Sequence, residues 1–118
     1  MGTHDLLQDS AGVTLRLDGD WTIQEASMLR EVLLDALSRN NELRVDISGV
    51  TSTDLSMFEL LHAACQSAAR DSKKFVRTGE VSETVSKAAV LSGFIDYVPF
   101  RDFWKNEECH VQDDHDRG

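Results

Sequence analysis

Leu43, Val45 and Ile47 alternate with Arg44, Asp46 and Ser48, and from Leu55 onward the apolar spacing changes to steps of three and four. A two-residue period marks a strand with one buried face, and a period between three and four marks a helix with one buried stripe. That succession constrains the chain more than anything else in it, because the strand and the helix must share a core. It also occurs upstream. Val13-Thr14-Leu15-Arg16-Leu17 alternates, Asp18-Gly19-Asp20 reads as a breaker, and a helix follows. Thr22-Ile23-Gln24-Glu25 has the form of a capping box, in which the Thr22 hydroxyl accepts from the amide of Glu25 and the glutamate carboxylate reaches back. The spacing predicts that this helix buries Ile23, Ala26, Leu29, Leu33, Ala36 and Leu37. Arg30, Glu31 and Asp35 then fall on its wet side, with Asn40 or Asn41 as its stop.

The remaining elements follow by the same rules. Leu6-Leu7-Gln8 can pair back on the first strand through a turn at Asp9-Ser10-Ala11-Gly12, residues that tolerate turn geometry. Gly49-Val50-Thr51-Ser52-Thr53 reads as a hydroxyl-rich loop. The helix from Leu55 to about Ala69 places Leu55, Phe58, Leu61 (or Leu60), Ala64, Cys65 and Ala68 on one face. Lys73 to Thr78 is a further strand bounded by Gly79. Val81 to Leu91 is a third helix with Val85, Ala88 and Ala89 inward and Gly93 as its C-terminal stop. Pro99 then precedes a short Phe100–Trp104 segment whose aromatics can seal an open edge of the core. The order β-β-α-β-α-β-α-(short helix) implies βαβ crossovers and partly parallel pairing, with an antiparallel opening hairpin. Whether the helices cover one face of the sheet or both stays open. Residues 1–105 are read as one domain. Residues 106–118 hold Glu107, Glu108, Asp113, Asp114 and Asp116 against Arg117, and are expected to form a disordered acidic tail.

Composition narrows the partners. The 118 residues are 41% hydrophobic and 28% charged, the balance of a folded globule. Twelve basic against twenty-one acidic side chains give a net charge of −9, which repels a phosphate backbone and an anionic leaflet alike. Lys73-Lys74 is the longest basic cluster, so nucleic-acid binding is not expected. The longest apolar run, Ala88-Ala89-Val90-Leu91, is too short to enter a bilayer core, and the first residues lack the basic and apolar blocks of a signal peptide. A cytoplasmic chain without direct membrane insertion is expected. Cys65 and Cys109 are too few for a disulfide framework; Cys65 lies in an apolar helical pattern and reads as a small core residue.

Catalytic chemistry finds little support. His4, His62, His110 and His115 are scattered, and Cys109-His110 with His115 matches no zinc spacing. There is no glycine-rich phosphate loop and no readable nucleophile–base pair. No cofactor, metal or catalytic residue is assigned, and the chain is read as a non-enzyme. Thr51-Ser52-Thr53-Asp54-Leu55-Ser56-Met57 stands out instead: four of seven residues carry hydroxyls where a strand gives way to a helix. Helix-start amides and the positive end of the helix dipole lie beside Asp54 and Ser56. Thr53 or Asp54 can cap the helix. A phosphate on Ser56 would meet those amides but stand close to Asp54 and Glu59.

Leu43 to Val50, then Thr53-Asp54-Leu55-Ser56-Met57-Phe58-Glu59-Leu60-Leu61, resembles the STAS domain, named for sulfate transporters and anti-sigma factor antagonists. The family typically carries a strand ending in a Leu-Ser-Gly-Val-like stretch, then Asp-Ser-Ser-Gly-Leu, then an alanine-rich helix, and a Gly-Lys before the next strand. Here Asp71-Ser72-Lys73-Lys74 stands in place of that Gly-Lys. Leu17 to Ile23 is similar to the stretch before the family's first helix, and Leu91-Ser92-Gly93-Phe94 to its closing Gly-Leu, so the resemblance covers about residues 12 to 100. It implies a mixed sheet of four to five strands with an opening hairpin and three to four α-helices. It also implies a bacterial partner-switching protein, an anti-sigma factor antagonist. Such a protein binds an anti-sigma factor that is also a serine kinase of the histidine-kinase-like ATPase type. Phosphorylation breaks the complex and a phosphatase restores it. Carried over residue by residue, the motif's Asp is Asp54 and its acceptor serine is Ser56. Leu55 replaces the first Ser and Met57 replaces the Gly. Partner contact is expected from Thr53, Asp54, Leu55, Ser56 and Met57, with Leu55 and Met57 either rimming the serine or tucked into the core. A constitutive docking subunit of a chemosensory complex or an ABC-type lipid transport system is the alternative, and a metal-dependent catalyst using His110 and His115 is the third.

Overall fold

β1 (Thr3–Asp9) and β2 (Gly12–Trp21) pair antiparallel, from Thr3 opposite Asp18 to Asp9 opposite Gly12. They open a computed structural model that describes residues 2–10 and 12–93. The hairpin is the one anticipated, but both of its strands outrun the sequence reading. β2 does not break at Asp18-Gly19-Asp20. It continues to Trp21 through two register shifts against the strand Glu42–Thr53, between Arg16 and Asp18 and between Gly19 and Asp20. Gly19 there adopts φ of 83°, in the left-handed region, and the residues that look like a breaker stay within a continuous strand, while the extra residue at each shift falls on the partner strand.

β3 (Glu42–Thr53) corrects the second loop assignment in the same way. Gly49 to Thr53 extends the strand, pairing with the end of β2 up to Trp21 opposite Thr53 and carrying the extra residue at both register shifts. Pairing between distant segments overrides the local loop preference of glycine and small hydroxyl residues. Gly49 leaves room for the carboxylate of Asp18, which lies over it from the paired strand.

The sheet order is β1-β2-β3-β4, with β2, β3 and β4 (Lys74–Thr78) parallel. Two crossovers make this possible. A 3-10 turn (Ile23–Glu25) and α1 (Ala26–Arg39) join β2 to β3, and α2 (Leu55–Arg70) joins β3 to β4. α1 and α2 pack against each other, and α3 (Glu83–Ser92) packs on β3 and α2. The alternation of the strands decides which side they cover. Leu15, Leu17, Leu43, Val45 and Ile47 are buried, while Thr14, Arg16, Arg44 and Asp46 between them retain exposure. The core joins these strand residues to Leu29, Leu33, Ala36 and Leu37 of α1, to Phe58, Leu61, Ala64, Cys65 and Ala68 of α2, and to Val85 and Ala89 of α3. Cys65 is disulfide-bonded as well as buried, which the apolar pattern does not reveal.

Helix ends follow the sequence closely. The capping box forms, with the Thr22 amide donating to Glu25 Oε1 at 3.0 Å. Ser82 caps α3 by accepting from the Val85 amide, and its hydroxyl donates to the Val50 carbonyl, tying α3 to β3. Gly93 ends α3 in the left-handed conformation, as its position predicts. Ile23 is the departure. The first turn is 3-10 rather than α, so the phase of the helix begins later than the spacing suggests, and Ile23 is 66% exposed instead of buried. The Phe100–Trp104 segment, the acidic tail, Cys109, His110 and His115 lie outside the described residues.

Candidate functional site

The carboxyl ends of β2 and β3 and the starts of the 3-10 turn and α2 meet at one corner of the molecule. Parallel strands deliver their following helices to the same edge of a sheet, so the clustering follows from topology. Asp54 is its centre. In extended conformation before α2, it uses both carboxylate oxygens: Oδ1 accepts from the Ser56 amide at 2.9 Å, and Oδ2 accepts from the Ile23 amide at 3.0 Å. One side chain thus satisfies donors at the starts of two helical segments that are far apart in sequence. Thr53 locks the same corner from beneath. Its hydroxyl lies 3.1 Å from the Trp21 carbonyl, within donating distance, and beside Met57 Sδ at 3.4 Å. Trp21 is buried and donates from Nε1 to the Asp18 carbonyl at 2.9 Å, so the end of β2 is fixed as firmly as that of β3.

Ser56 sits in the first turn of α2, half-buried. Its amide is taken by Asp54, but its hydroxyl makes no hydrogen bond among the described residues. The hydroxyl-bearing side chain lines a shallow depression of about 270 Å³ between α1 and α2, together with Ile23, Ala26, Ser27, Arg30, Glu59 and Leu60. A second apolar hollow, lined by Leu33, Leu34, Leu37, Leu60, Ala63 and Ala64, shares Arg30 and Leu60 with the first. The two form one groove running from Ser56 along the seam of the helices.

The structure separates the two residues that flank the serine. Leu55 is 47% exposed, and Met57 is fully buried. The expectation that Met57 contributes to a contact surface is corrected: its side chain belongs to the core, with Thr53 beside its sulfur. The inclusion of Leu55 in the buried stripe of α2 is corrected with it. The signal was available, because Met57 stands four residues before Leu61 and seven before Ala64, in phase with the stripe, whereas Leu55 does not. Thr53, Asp54, Leu55 and Ser56 are brought together as the spacing implied, although Thr53 and Asp54 act through hydrogen bonds within the domain. Two residues enter that the sequence did not nominate. Ile23 supplies exposed apolar surface next to Asp54, and Arg30 puts a cation on the wall opposite Ser56. Leu55 and Ile23 both keep apolar side chains exposed at this corner.

Other chemistry is sparse. Among the described residues no group of three or more His, Cys, Asp and Glu side chains is arranged to hold a metal. No described helix is long and apolar enough to cross a membrane. His62, on α2, has its imidazole pKa lowered by partial burial, which disfavours the cation.

Comparison with known proteins agrees with this geometry. The family model described as "Mlab, STAS domain" matches residues 4–98. A search of curated proteins finds no match. Among solved structures, an anti-sigma factor antagonist from Mycobacterium paratuberculosis superposes with a TM-score of 0.66 at 15% identity, covering 82% of each chain. The anti-sigma factor antagonist SpoIIAA in its unphosphorylated form superposes with a TM-score of 0.59 at 15% identity, covering 81% of this chain and 97% of its own. At that identity the likeness shows a shared fold. The family match is broader evidence, since it spans residues 4–98, most of the chain: the chain belongs to the STAS domain family.

Proposed function

We propose that this STAS protein is a non-enzymatic regulatory partner-switching module, of the kind represented by anti-sigma factor antagonists. It binds an anti-sigma factor that is also a serine kinase of the histidine-kinase-like ATPase type. Phosphorylation of Ser56 ends the complex, and a phosphatase restores it. The observation that carries this reading is the Ser56 hydroxyl itself. Asp54 holds the backbone on which it sits, yet the hydroxyl has no hydrogen-bond partner among the described residues and lines an open depression between α1 and α2. A hydroxyl so placed is accessible to an enzyme. A phosphate there would add a charge of about −1.5 to −2 in the middle of the contact surface. In the reaction Ser56 Oγ bonds to the γ-phosphorus of ATP, the bond to the departing ADP breaks, and the hydroxyl proton passes to a base of the kinase.

Mixing the protein with such a kinase and ATP tests the reading. Wild-type protein takes up one phosphate and dissociates. Ser56→Ala binds without release, and Ser56→Asp fails to bind. Full function of Ser56→Ala with only slightly weaker binding of Ser56→Asp would favour the second reading, a constitutive docking subunit of a larger assembly. That alternative draws on the exposure of Ile23 and Leu55, since apolar contacts hold a partner whatever the state of the serine.

A further inference from the structure

We propose that Arg30 is the receptor, on the same chain, for a phosphate carried by Ser56, so that modification closes a clamp between α1 and α2 across the depression they share. The inference rests on the reading of Ser56 as a phosphorylation site and adds what the phosphate does once attached. Three observations carry it. Ser56 and Arg30 stand on opposite helices and line the same 270 Å³ depression, a space ample for a phosphoryl group. The Arg30 side chain makes no ion pair or hydrogen bond among the described residues, unlike Arg16 and Arg39, which are held by Asp18 and Asp35. Asp54 and Glu25 are already committed, Asp54 to the amides of Ser56 and Ile23 and Glu25 to the amide and hydroxyl of Thr22, which leaves Glu59 as the one carboxylate lining the depression that could compete. An uncommitted guanidinium beside an uncommitted hydroxyl is thus the pair that a phosphate would join, and arginine offers the forked donors that phosphate oxygens accept.

The charges facing the phosphate are Arg30 from α1, Glu59 and Asp54 from α2 and its cap, and Glu25 from the 3-10 turn. Glu59 opposes the clamp. It lines the same depression one turn beyond Ser56 and competes for Arg30. A clamp nonetheless changes how modification silences the surface. The phosphate is drawn over the depression instead of standing free in solvent, so the groove between Ile23 and Leu60 is filled as well as charged. Occlusion then adds to repulsion, and release does not depend on the partner carrying an acidic patch.

The test uses the full chain with phosphoserine installed at position 56 by genetic encoding, which requires no knowledge of the kinase. Phosphorus-31 NMR then follows the second ionisation of the phosphate, ordinarily near pH 6, in the parent, Arg30→Gln and Glu59→Gln forms. A guanidinium beside the phosphate favours the dianion. The parent should therefore titrate at lower pH than Arg30→Gln by about 0.5 unit or more at low ionic strength, and the gap should shrink in about 1 M salt. Glu59→Gln should move the midpoint lower still. Arg30 is exposed and has no partner among the described residues, so Arg30→Gln should leave the amide spectrum of the unmodified protein unchanged, separating a phosphate receptor from a structural residue. Identical midpoints in the parent and Arg30→Gln would overturn the clamp. The two readings fail separately. A salt-sensitive shift on a serine that cells never phosphorylate refutes the switch and leaves the clamp as chemistry of the site. Identical midpoints on a serine that cells do phosphorylate refute the clamp alone.

Discussion

Asp54 has two structural duties, and that fixes what its loss should do. Replacing an N-cap aspartate by alanine ordinarily costs about 1 kcal/mol, with a range of about 0.5–2 kcal/mol. Asp54→Ala also strips the partner from the Ile23 amide, so its cost should lie at the upper end of that range in urea unfolding. Asp54→Asn, which keeps one acceptor, should recover part of it. Ser72 presents the opposite case. It holds φ of 60° in the tight turn before β4, where the family usually places a glycine, and left-handed backbone is unfavourable for a residue with a Cβ. Ser72→Gly should raise stability by about 0.5–1 kcal/mol after the extra freedom of the unfolded chain is counted. His62 gives a dependence on pH. Burial lowers its folded-state pKa below the 6.5 of the unfolded chain, so the unfolded form binds more protons between the two values. Its contribution is complete above 6.5 and is lost as pH falls from there toward the folded-state pKa. His62→Gln should flatten that part of a plot of unfolding midpoint against pH. The role of Asp54 as a cap was legible from residue type and order, whereas Ser56 as a candidate acceptor came from the resemblance to the STAS domain. The opposite fates of Leu55 and Met57 were decided by helix phase, readable from the spacing of each to Leu61 and Ala64.

At the scale of elements, periodicity carried furthest where one face is buried. β3 from Leu43 to Ile47, the α1 stripe from Leu29 to Leu37 and the glycine stop at Gly93 stand where their patterns placed them. The errors share a cause. Asp18-Gly19-Asp20 and Gly49 to Thr53 have loop-like composition, and each becomes strand because the other is there to pair with it. Pairing of that kind is a tertiary fact that no local window holds. The misplacement of Ile23 arose likewise, since a 3-10 first turn shifts the angular position of every residue within it. Its consequence is functional: Ile23 leaves the core and joins Leu55 at the surface. Ile23→Ser with Leu55→Ser should therefore leave the unfolding free energy within about 0.5 kcal/mol of the parent, as exposed substitutions do. The same pair should weaken the partner complex about tenfold or more in calorimetry. A large loss of stability without a loss of affinity would remove these residues from the contact surface.

For the whole molecule, the architecture explains why the candidate site gathers at one corner. Two parallel crossovers bring the starts of two helical segments to the same end of the sheet, and the paired ends of β2 and β3 hold them in register. The buried Trp21, Met57 and Phe58 make that corner rigid below, while Ser56 lies open above. A net charge of −9 adds a long-range preference for a partner with a basic face. The direct test of the central claim is intact mass with site mapping on protein recovered from its native cells under several growth conditions. Partner switching predicts a single added phosphate on Ser56 whose occupancy changes with condition. Protein that is unmodified at Ser56 in every condition would contradict it.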